Sequence, residues 1–264
     1  MDVTEHNRQA WNRLSDNGIR WGQPVDAGSI ANARANDWKV SLAGGKPVPK
    51  AWFSTDGRIA GTRILCLASG GGQQAPVLAA AGAEVTSLDL SDSQLAKDLE
   101  LAEEHDLRLR CVQGSMSDLS RFKSGSFEVV FLPVSLGSIP NVHPVWSECA
   151  RVLEPRGRLL VGMINPLVSL FDENGGENEV GLRVVHELPY SEIDSMSEDA
   201  RTAAINRGML FTWSHTLTDL IGGQLAVGFR LFAFEEARRT DELAPAIDAY
   251  TSTYIMTAAE LIGR

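Results

Sequence analysis

The chain has 264 residues, 44% of them hydrophobic, and a formal net charge of -10. This length and apolar content suit one large α/β domain or two smaller domains, and they exclude a disordered chain. The excess of acidic residues repels phosphate backbones, so we expect no nucleic-acid partner. No apolar run reaches the length of a membrane helix, which is about 18 residues, so we expect no membrane partner.

The first 58 residues predict a helical cap segment that precedes a larger domain at 59–264. A short helix is expected at 5–14, followed by turn and loop chemistry. Four tryptophans lie in this segment. We expect Trp11 and Trp52 to pack it onto the domain, because large aromatic side chains dominate core burial. Trp21 and Trp38 stand in looser sequence and are candidates for an aromatic wall over a bound small molecule.

Residues 60–165 alternate short apolar runs with helical patterns. The predicted strands are 63–68, 84–90, 108–112, 127–133 and 158–164, and the predicted helices are 76–81, 91 to about 105, and 146–153. Ser91 and Gln94 form a capping-box pattern at the start of the second helix. Strand–helix alternation at this spacing predicts right-handed βαβ units and a doubly wound α/β sheet covered on both faces.

Residues from 166 to about 212 are polar and irregular, with a run of acidic, asparagine and glycine residues at 172–179. An interruption of this length inside a compact domain predicts a lid or binding loop, here inserted between the fifth and sixth strands. The pattern then returns, with a helix at 217–227, a strand at 229–234 and a strand or helix near 254–261.

The most informative segment joins the first strand to the first helix of the domain through Gly70, Gly71 and Gly72. Glycine allows close backbone approach and positive φ, and a helix N-terminus offers free N–H groups to a ligand. The second strand then ends at Asp89. In a doubly wound sheet this position lies beside a cofactor ribose, whose hydroxyls a carboxylate can accept.

This segment alone leaves two cofactors open. The spacing of the glycines, with Asp89 downstream, also satisfies the fingerprint of dinucleotide-binding proteins. A third interpretation is a glycine-rich turn that only joins a strand to a helix. Three adjacent glycines carry a conformational entropy cost, which argues against a turn without a ligand.

Downstream motifs favour one cofactor. Gly114-Ser115-Met116-Ser117-Asp118-Leu119 follows the third strand, and Arg151-Val152-Leu153-Glu154-Pro155-Arg156-Gly157 precedes the fifth. Together with the glycine loop and Asp89, this order resembles the class I S-adenosylmethionine-dependent methyltransferases, and more loosely a bacterial branch that acts on small molecules. The resemblance covers about residues 60–165 motif by motif. It implies a Rossmann-like sheet, completed to seven strands by the C-terminal elements, and S-adenosylmethionine as the cofactor.

The resemblance also implies residue roles. Ala68, Gly70 and Gly72 would line the methionine and ribose end, and Asp89 would hold the ribose hydroxyls. The remaining positions are Leu90, Ser115 and Met116 at adenine, and Pro133, Val134 and Ser135 facing the sulfonium and the substrate. The family's loop has the form D-x-G-x-G-x-G. Here Cys66 stands at the acidic position and Ala68 at the first glycine, which puts contacts at the methionine end in doubt.

Methyl transfer from a sulfonium needs positioning above all, and it needs a general base only if the acceptor keeps its proton at neutral pH. The catalytic candidate is His215, which follows Trp213 at the sheet edge where substrates would enter. The alternative for His215 is a histidine capped at a helix N-terminus. His143 is expected on the surface. His186 and Tyr190 lie in the predicted lid, and Tyr190 is a candidate substrate contact.

Three cysteines without paired spacing favour a reducing cytoplasm, and no metal-ligand spacing is present, so no metal site is expected. The predicted function is methylation of a small molecule, and a homodimer is left open. One alternative is an NAD(P)-dependent oxidoreductase, although Tyr190 is followed at the fourth position by Asp194 instead of lysine. The other is a non-catalytic S-adenosylmethionine-binding protein.

Overall fold

The computed structural model of the chain describes residues 1–171, 182–239 and 246–263. Its strands are β1 Arg63–Leu67, β2 Glu84–Asp89, β3 Leu109–Gln113, β4 Phe127–Leu132, β5 Leu153–Ile164, β6 Phe229–Ala237 and β7 Tyr254–Leu261. They form one seven-stranded sheet in the order β3-β2-β1-β4-β5-β7-β6. The first five strands pair in parallel, and β7 runs antiparallel to both neighbours. The predicted Rossmann-like sheet is confirmed, and the element near 254–261 is a strand.

The α-helices that flank the sheet or cap it are α1 Val3–Asp16, α2 Ala27–Arg34, α3 Gln74–Ala80, α4 Asp92–Glu104, α5 His143–Val152, α6 Glu192–Ser195, α7 Glu198–Arg207 and α8 Gly223–Ala226. Short 3-10 turns lie at Arg20–Gly22, Lys50–Trp52, Leu136–Ser138, Pro166–Leu170 and Ala246–Ala249, and a π-helical turn lies at Thr218–Gly222. No helix in the described ranges is long and apolar enough to cross a membrane.

Alternating side chains of the central strands pack into two hydrophobic layers, one on each face of the sheet. In β1, Leu65 and Leu67 pack on the face that buries Trp146 of α5. Ile64 and Cys66 point to the opposite face, which also holds Phe131 of β4. A strand that is buried on both faces has a continuous run of apolar residues. For this reason the predicted bounds of β1 and β4 lie within one residue of the observed bounds.

The segment at 38–59 belongs to the second layer, which corrects one candidate. Trp38 is 1% exposed and packs edge-to-face against Phe53 at 5.1 Å between ring centroids. It is therefore a core residue and not the predicted wall over a ligand. Trp52 is buried as predicted. The division into a cap at 1–58 and a domain at 59–264 stays a prediction.

Several polar contacts attach helix α1 to the domain. The buried side chain of Asn7 donates to the carbonyls of Ser138, at 3.1 Å, and Phe211, at 2.9 Å, and it accepts the Phe211 N–H. On the other flank of the helix, Oδ1 of Asn12 accepts from Oγ of Ser91 at 2.6 Å. These bonds tie the N-terminus to the loop after β4, to the segment before α8 and to the start of α4.

Several local expectations were wrong. The region at 166–212 is not irregular throughout, because it contains α6 and α7. The N-cap residues of these helices are Ser191 and Ser197, whose hydroxyls accept backbone N–H groups. The run at 172–179 lies outside the described residues. By contrast, the helix predicted at 217–227 is confirmed, and it consists of the π-helical turn followed by α8. At α4, Oγ of Ser91 caps the helix, but Gln94 does not reach back, because the Ser91 N–H donates to Asp89.

A glycine in β5 lets the N-terminal segment lie directly on the sheet. A Cβ at Gly162 would overlap the carbonyl of Leu42. That same carbonyl accepts the N–H of Val134, just after β4, at 3.0 Å. The missing side chain in β5 therefore fixes the position of Leu42 at the edge of the sheet.

We expect Gly162→Ala to lower the free energy of unfolding by about 1–3 kcal/mol, because an added methyl group in a packed core forces the backbone to shift. Urea unfolding measures the change. Gly28→Ala, on the exposed face of α2, is the matched control and should be neutral or slightly stabilising. Equal destabilisation by the two substitutions would contradict this account of Gly162.

Candidate active site

A cavity of about 600 Å³ opens at the carboxyl ends of the parallel strands. Ala68 after β1, Asp89 at the end of β2, Pro133 after β4 and Ile164 at the end of β5 all lie on its wall. The chain order reverses between β1 and β4, and ligands of doubly wound sheets bind at this switch point. The cavity is therefore the candidate active site.

Most of the residues predicted from the sequence are brought together here. Those on the cavity wall are Trp21, Ala68, Gly70, Asp89, Leu90, Ser115, Met116, Pro133, Val134, Ser135, Tyr190 and His215. Trp38 and Gly72 are the exceptions. Gly72 is displaced from the wall because it packs against the N-terminal segment, where an added Cβ would lie 2.8 Å from Cβ of Pro24.

The three loop glycines allow close packing of protein against protein. A Cβ at Gly70 would lie 2.8 Å from Cβ of Gln94, and a Cβ at Gly71 would lie 3.0 Å from Cα of Gly22. Gly71 and Gly72 also have positive φ, at 108° and 75°. The loop glycines are therefore needed for close backbone approach. The groups that approach the loop are parts of the protein itself, namely α4 and the N-terminal segment.

The N–H groups of the three loop glycines are all used within the protein. Each donates to an acceptor at the end of β2 or on α4: Gly70 to Oδ2 of Asp89 at 3.0 Å, Gly71 to the carbonyl of Gln94 at 2.9 Å, and Gly72 to Oδ1 of Asp98 at 2.7 Å. A dinucleotide site uses this loop to bind a pyrophosphate. Here all three donors are already used within the protein and are not available to a pyrophosphate, so the geometry does not support the oxidoreductase alternative.

Ala68 adopts the conformation that the family's pattern gives to glycine. Its φ is +47°, in the left-handed region that side chains disfavour. Its N–H donates to the carbonyl of Leu88 at 2.7 Å. The backbone turn at the end of β1 is thus retained although the residue type has changed.

Asp89 is held in place by two backbone N–H groups, from Gly70 and from Ser91. Burial raises the pKa of this carboxyl, and the N–H groups oppose that rise. Each carboxylate oxygen has capacity for a second donor. Asp89 can therefore accept from ligand hydroxyls without releasing the loop.

One buried hydroxyl on the wall fits a polar ligand. Ser69 is 4% exposed, and its Oγ has no hydrogen-bond partner among the described residues. A buried hydroxyl without a partner is costly, so Oγ of Ser69 is suited to bond to a bound molecule. With Asp89 on the same wall, the donor and acceptor set fits the hydroxyl and amino groups of a nucleoside.

His215 is 8% exposed and lies on the cavity wall. Its Nε2 is 3.1 Å from the carbonyl of Leu136. Because a carbonyl only accepts, Nε2 carries the hydrogen and Nδ1 is left as the basic atom. Burial lowers the pKa of His215, with partial opposition from the Leu136 carbonyl, so the ring is neutral at pH 7.

The other imidazoles are less suited to the chemistry. The side chain of His143 is 60% exposed and pairs with Asp219 through Nε2 at 3.0 Å. His186 packs against Tyr190 in a tilted arrangement with ring centroids 4.3 Å apart, and of these two rings only Tyr190 lines the cavity.

The predicted aromatic wall has a different composition. Trp11, expected to pack in the core, lines the cavity and donates from Nε1 to Oγ of Ser138 at 3.4 Å. Trp21 lines the cavity and is 54% exposed. Sequence reasoning missed most of the apolar lining on the side of β5, which includes Leu42, Met163, Val168, Trp213 and Tyr254. The strands and loops that carry these residues show no ligand-binding pattern that could have identified them.

Asp98 is the functional candidate that sequence reasoning missed. It is fully buried, and its Oδ2 accepts from Oγ of Ser87 at 2.7 Å while Oδ1 accepts from Gly72. Burial raises the pKa of Asp98 to about 7, and the nearby charge of Asp89 adds to the rise. The two hydrogen bonds act in the opposite direction and lower the pKa. The available signal was periodicity: Asp98 occupies the same face of α4 as the buried Leu95 and Leu101.

Comparison with known proteins gives a consistent result. A family model described as a methyltransferase domain matches residues 65–161. The chain is 40% identical over 255 residues to an uncharacterized methyltransferase, YbaJ, of Bacillus subtilis (strain 168), and the match covers 97% of each chain. It is 32% identical over 130 residues to a ubiquinone biosynthesis O-methyltransferase of Xanthomonas oryzae pv. oryzae (strain PXO99A), and it spans about half of that relative's length.

The solved structures agree in fold. A geranyl diphosphate C-methyltransferase from Streptomyces coelicolor A3(2), crystallised with S-adenosyl-L-homocysteine, is similar over 99% of both chains with a TM-score of 0.58. The sequence identity is 13%, so this likeness concerns the fold alone.

The raised pKa of Asp98 predicts a dependence of stability on pH. In the unfolded chain the pKa of the carboxyl is near 3.8, the usual value for aspartate, and in the folded chain it is about 7. As the pH rises between these values, the unfolded state loses the proton first, and the stability contributed by the neutral carboxyl is lost. Asp98→Asn removes the charge; its amide oxygen can still accept from Gly72, and its NH2 can donate to Oγ of Ser87. Its stability relative to the wild type should therefore rise from pH 4 to 7 and then level off.

The expected difference is a few kcal/mol, since each pKa unit corresponds to about 1.4 kcal/mol. Urea unfolding at several pH values measures it. Asp106→Asn, at an exposed position after α4, is the control and should parallel the wild type. A constant difference between Asp98→Asn and the wild type from pH 4 to 8 would show that Asp98 does not titrate in this range.

Proposed function

This chain belongs to the class I S-adenosylmethionine-dependent methyltransferases, and on that premise we propose that it methylates a small molecule with an apolar or planar body. The observation that carries the proposal is the cavity, which is largely apolar on the side of β5 and polar beside Asp89. Such a cavity is the usual setting for a small ligand. The names of the Xanthomonas and Streptomyces relatives, which refer to ubiquinone biosynthesis and geranyl diphosphate, also point to small molecules.

The polar side of the cavity would hold the cofactor. Ala68, Ser69 and Gly70 would contact the methionine and ribose end, and Asp89 would accept the ribose hydroxyls. Leu90, Ser115 and Met116 would contact adenine. Ser115 is able to do so because its hydroxyl, which accepts the Ser117 N–H at 3.2 Å, still has a hydrogen to donate.

S-adenosylmethionine supplies a methyl group already activated on a sulfonium, so the remaining task of the protein is to align the acceptor and remove its proton. Pro133, Val134 and Ser135, at the end of β4, would border the transferred group. Trp21 and Tyr190 would contact the acceptor. His215 is the proposed general base, because its ring is neutral at pH 7 and Nδ1 is its basic atom.

We also propose a cytoplasmic location, because all three cysteines are free thiols, and Cys66 and Cys149 are buried. A homodimer stays a prediction.

The first test is calorimetric titration with S-adenosylhomocysteine and with NADPH. We expect binding of the first only. Asp89→Asn should weaken it about tenfold to a hundredfold, because a charge-assisted bond to the ribose hydroxyls contributes about 1.5–3 kcal/mol. Asp106→Asn should bind as the wild type does. Binding of NADPH without any response to S-adenosylhomocysteine would contradict the proposal.

The second test concerns the general base. His215→Gln should reduce turnover by about 10²–10⁴-fold while leaving the affinity for S-adenosylhomocysteine within about twofold. Transfer of a labelled methyl group to a panel of hydroxylated aromatic and isoprenoid acceptors measures turnover. His143→Gln, at a mostly exposed histidine, is the control and should retain wild-type turnover. If both variants turn over like the wild type, His215 is not the base.

A further inference from the structure

We propose that Asp98 is a positioning residue of the cofactor site, a buried carboxylate on α4 that fixes the glycine loop from behind and replaces the acid missing from β1. The proposal rests on the placement of S-adenosylmethionine against this loop under the proposed function. It assigns a role to a residue outside the motifs that carry the family resemblance.

The contacts of Asp98 connect three elements. One carboxylate oxygen accepts from Gly72 in the glycine loop, and the other accepts from the hydroxyl of Ser87 on β2, each at 2.7 Å. The residue itself is on α4 and has no exposed surface. Both oxygens are thus used to hold the loop at a fixed distance from β2 and α4.

Gly72 is not on the cavity wall, but the residues just before it are. Ala68, Ser69 and Gly70 line the cavity, and they are followed directly by Gly71 and Gly72. A shift at Gly72 would therefore be transmitted along two peptide units to the cofactor contacts. Displacements of this kind are costly, because binding groups act only within a narrow range of positions.

Cys66 is the position at which the resemblance leads one to expect an acid. It is fully buried in β1, and both burial and the charge of Asp98 raise the pKa of its thiol. Cys66 pairs in register with Ser87 of β2, whose hydroxyl donates to Asp98, so one residue of β2 connects the two positions. The negative charge that β1 lacks is supplied from α4.

Among the residues that the structure describes, the ionisable groups that interact electrostatically with Asp98 are Cys66 from β1, Asp89 from β2 and Cys111 from β3. Burial raises the pKa of both thiols, that of Cys111 to about 12, so neither is charged near neutral pH. A buried carboxylate costs folding free energy when ionised, and its placement at the loop is explained by a role in binding.

The test is calorimetric titration with S-adenosylhomocysteine at pH 6 and pH 8. Wild-type affinity should rise several-fold between these pH values, because a charged acceptor holds the Gly72 N–H more strongly than a neutral one. Asp98→Asn mimics the neutral form and should lose this dependence. Glu100→Gln removes an exposed carboxylate from the same helix and should keep it.

The second part of the test moves the acid. Asp98→Ala should weaken binding at pH 8 by tenfold or more. Adding Cys66→Asp to that variant returns a carboxylate to β1 and should recover most of the lost affinity. A purely structural role for Asp98 predicts no recovery, because a carboxylate at position 66 does not restore the packing at position 98.

The outcomes separate the two proposals. No binding of S-adenosylhomocysteine by the wild type would overturn the proposed function together with this inference. If the wild type binds S-adenosylhomocysteine and Asp98→Asn keeps the same pH dependence of affinity, the role of Asp98 is overturned and the proposed function is not. This outcome does not require that Asp98→Ala folds. A double variant that is unfolded, or folded without regained affinity, would overturn the replacement of the missing acid by Asp98.

Discussion

Three consecutive peptide N–H groups, those of Gly70, Gly71 and Gly72, are held by acceptors that all belong to the end of β2 or to α4. The first turn after β1 is therefore built on its neighbours and not on a ligand. This constraint decides the chemistry of the site, because a loop whose glycine donors already face carboxylates cannot receive a phosphate there. It leaves room instead for a ligand that needs acceptors, such as the hydroxyls of a ribose at Asp89.

The N-terminal segment completes the same site from outside the sheet. Trp11 and Trp21 reach the cavity wall, and Leu42 lies over β5 because Gly162 has no side chain. Pro24 and Gly22 press against the loop glycines. The glycines of the loop and of β5 thus allow the N-terminal segment to pack beside the cavity, in addition to any part they have in ligand binding.

The sequence predicted those parts of the fold and site whose signals are local. The buried runs of β1 and β4, the acid at the end of β2 and the glycine loop are all defined by neighbouring residues. The failures share a different cause. Whether Trp11 or Trp38 reaches the cavity depends on how a distant segment packs, and Gly72 leaves the wall because of Pro24, some fifty residues earlier in the chain. Asp98 was missed because an acid on the apolar face of a helix has no meaning until its partners in the loop and in β2 are known.

The manner in which α1 is attached has a kinetic consequence. The side chains that α1 buries are small or polar, Asn7, Ala10 and Ser15, and its bonds to Ser138 and Phe211 are side chain to backbone. Such contacts contribute less to stability than the apolar layers of the sheet, so the helix can detach while the central strands remain folded. Because Trp11 is part of the cavity wall, detachment of α1 opens a route to the solvent. We therefore expect the N-terminus to affect the release of spent cofactor, in addition to the residues that surround the transferred methyl group.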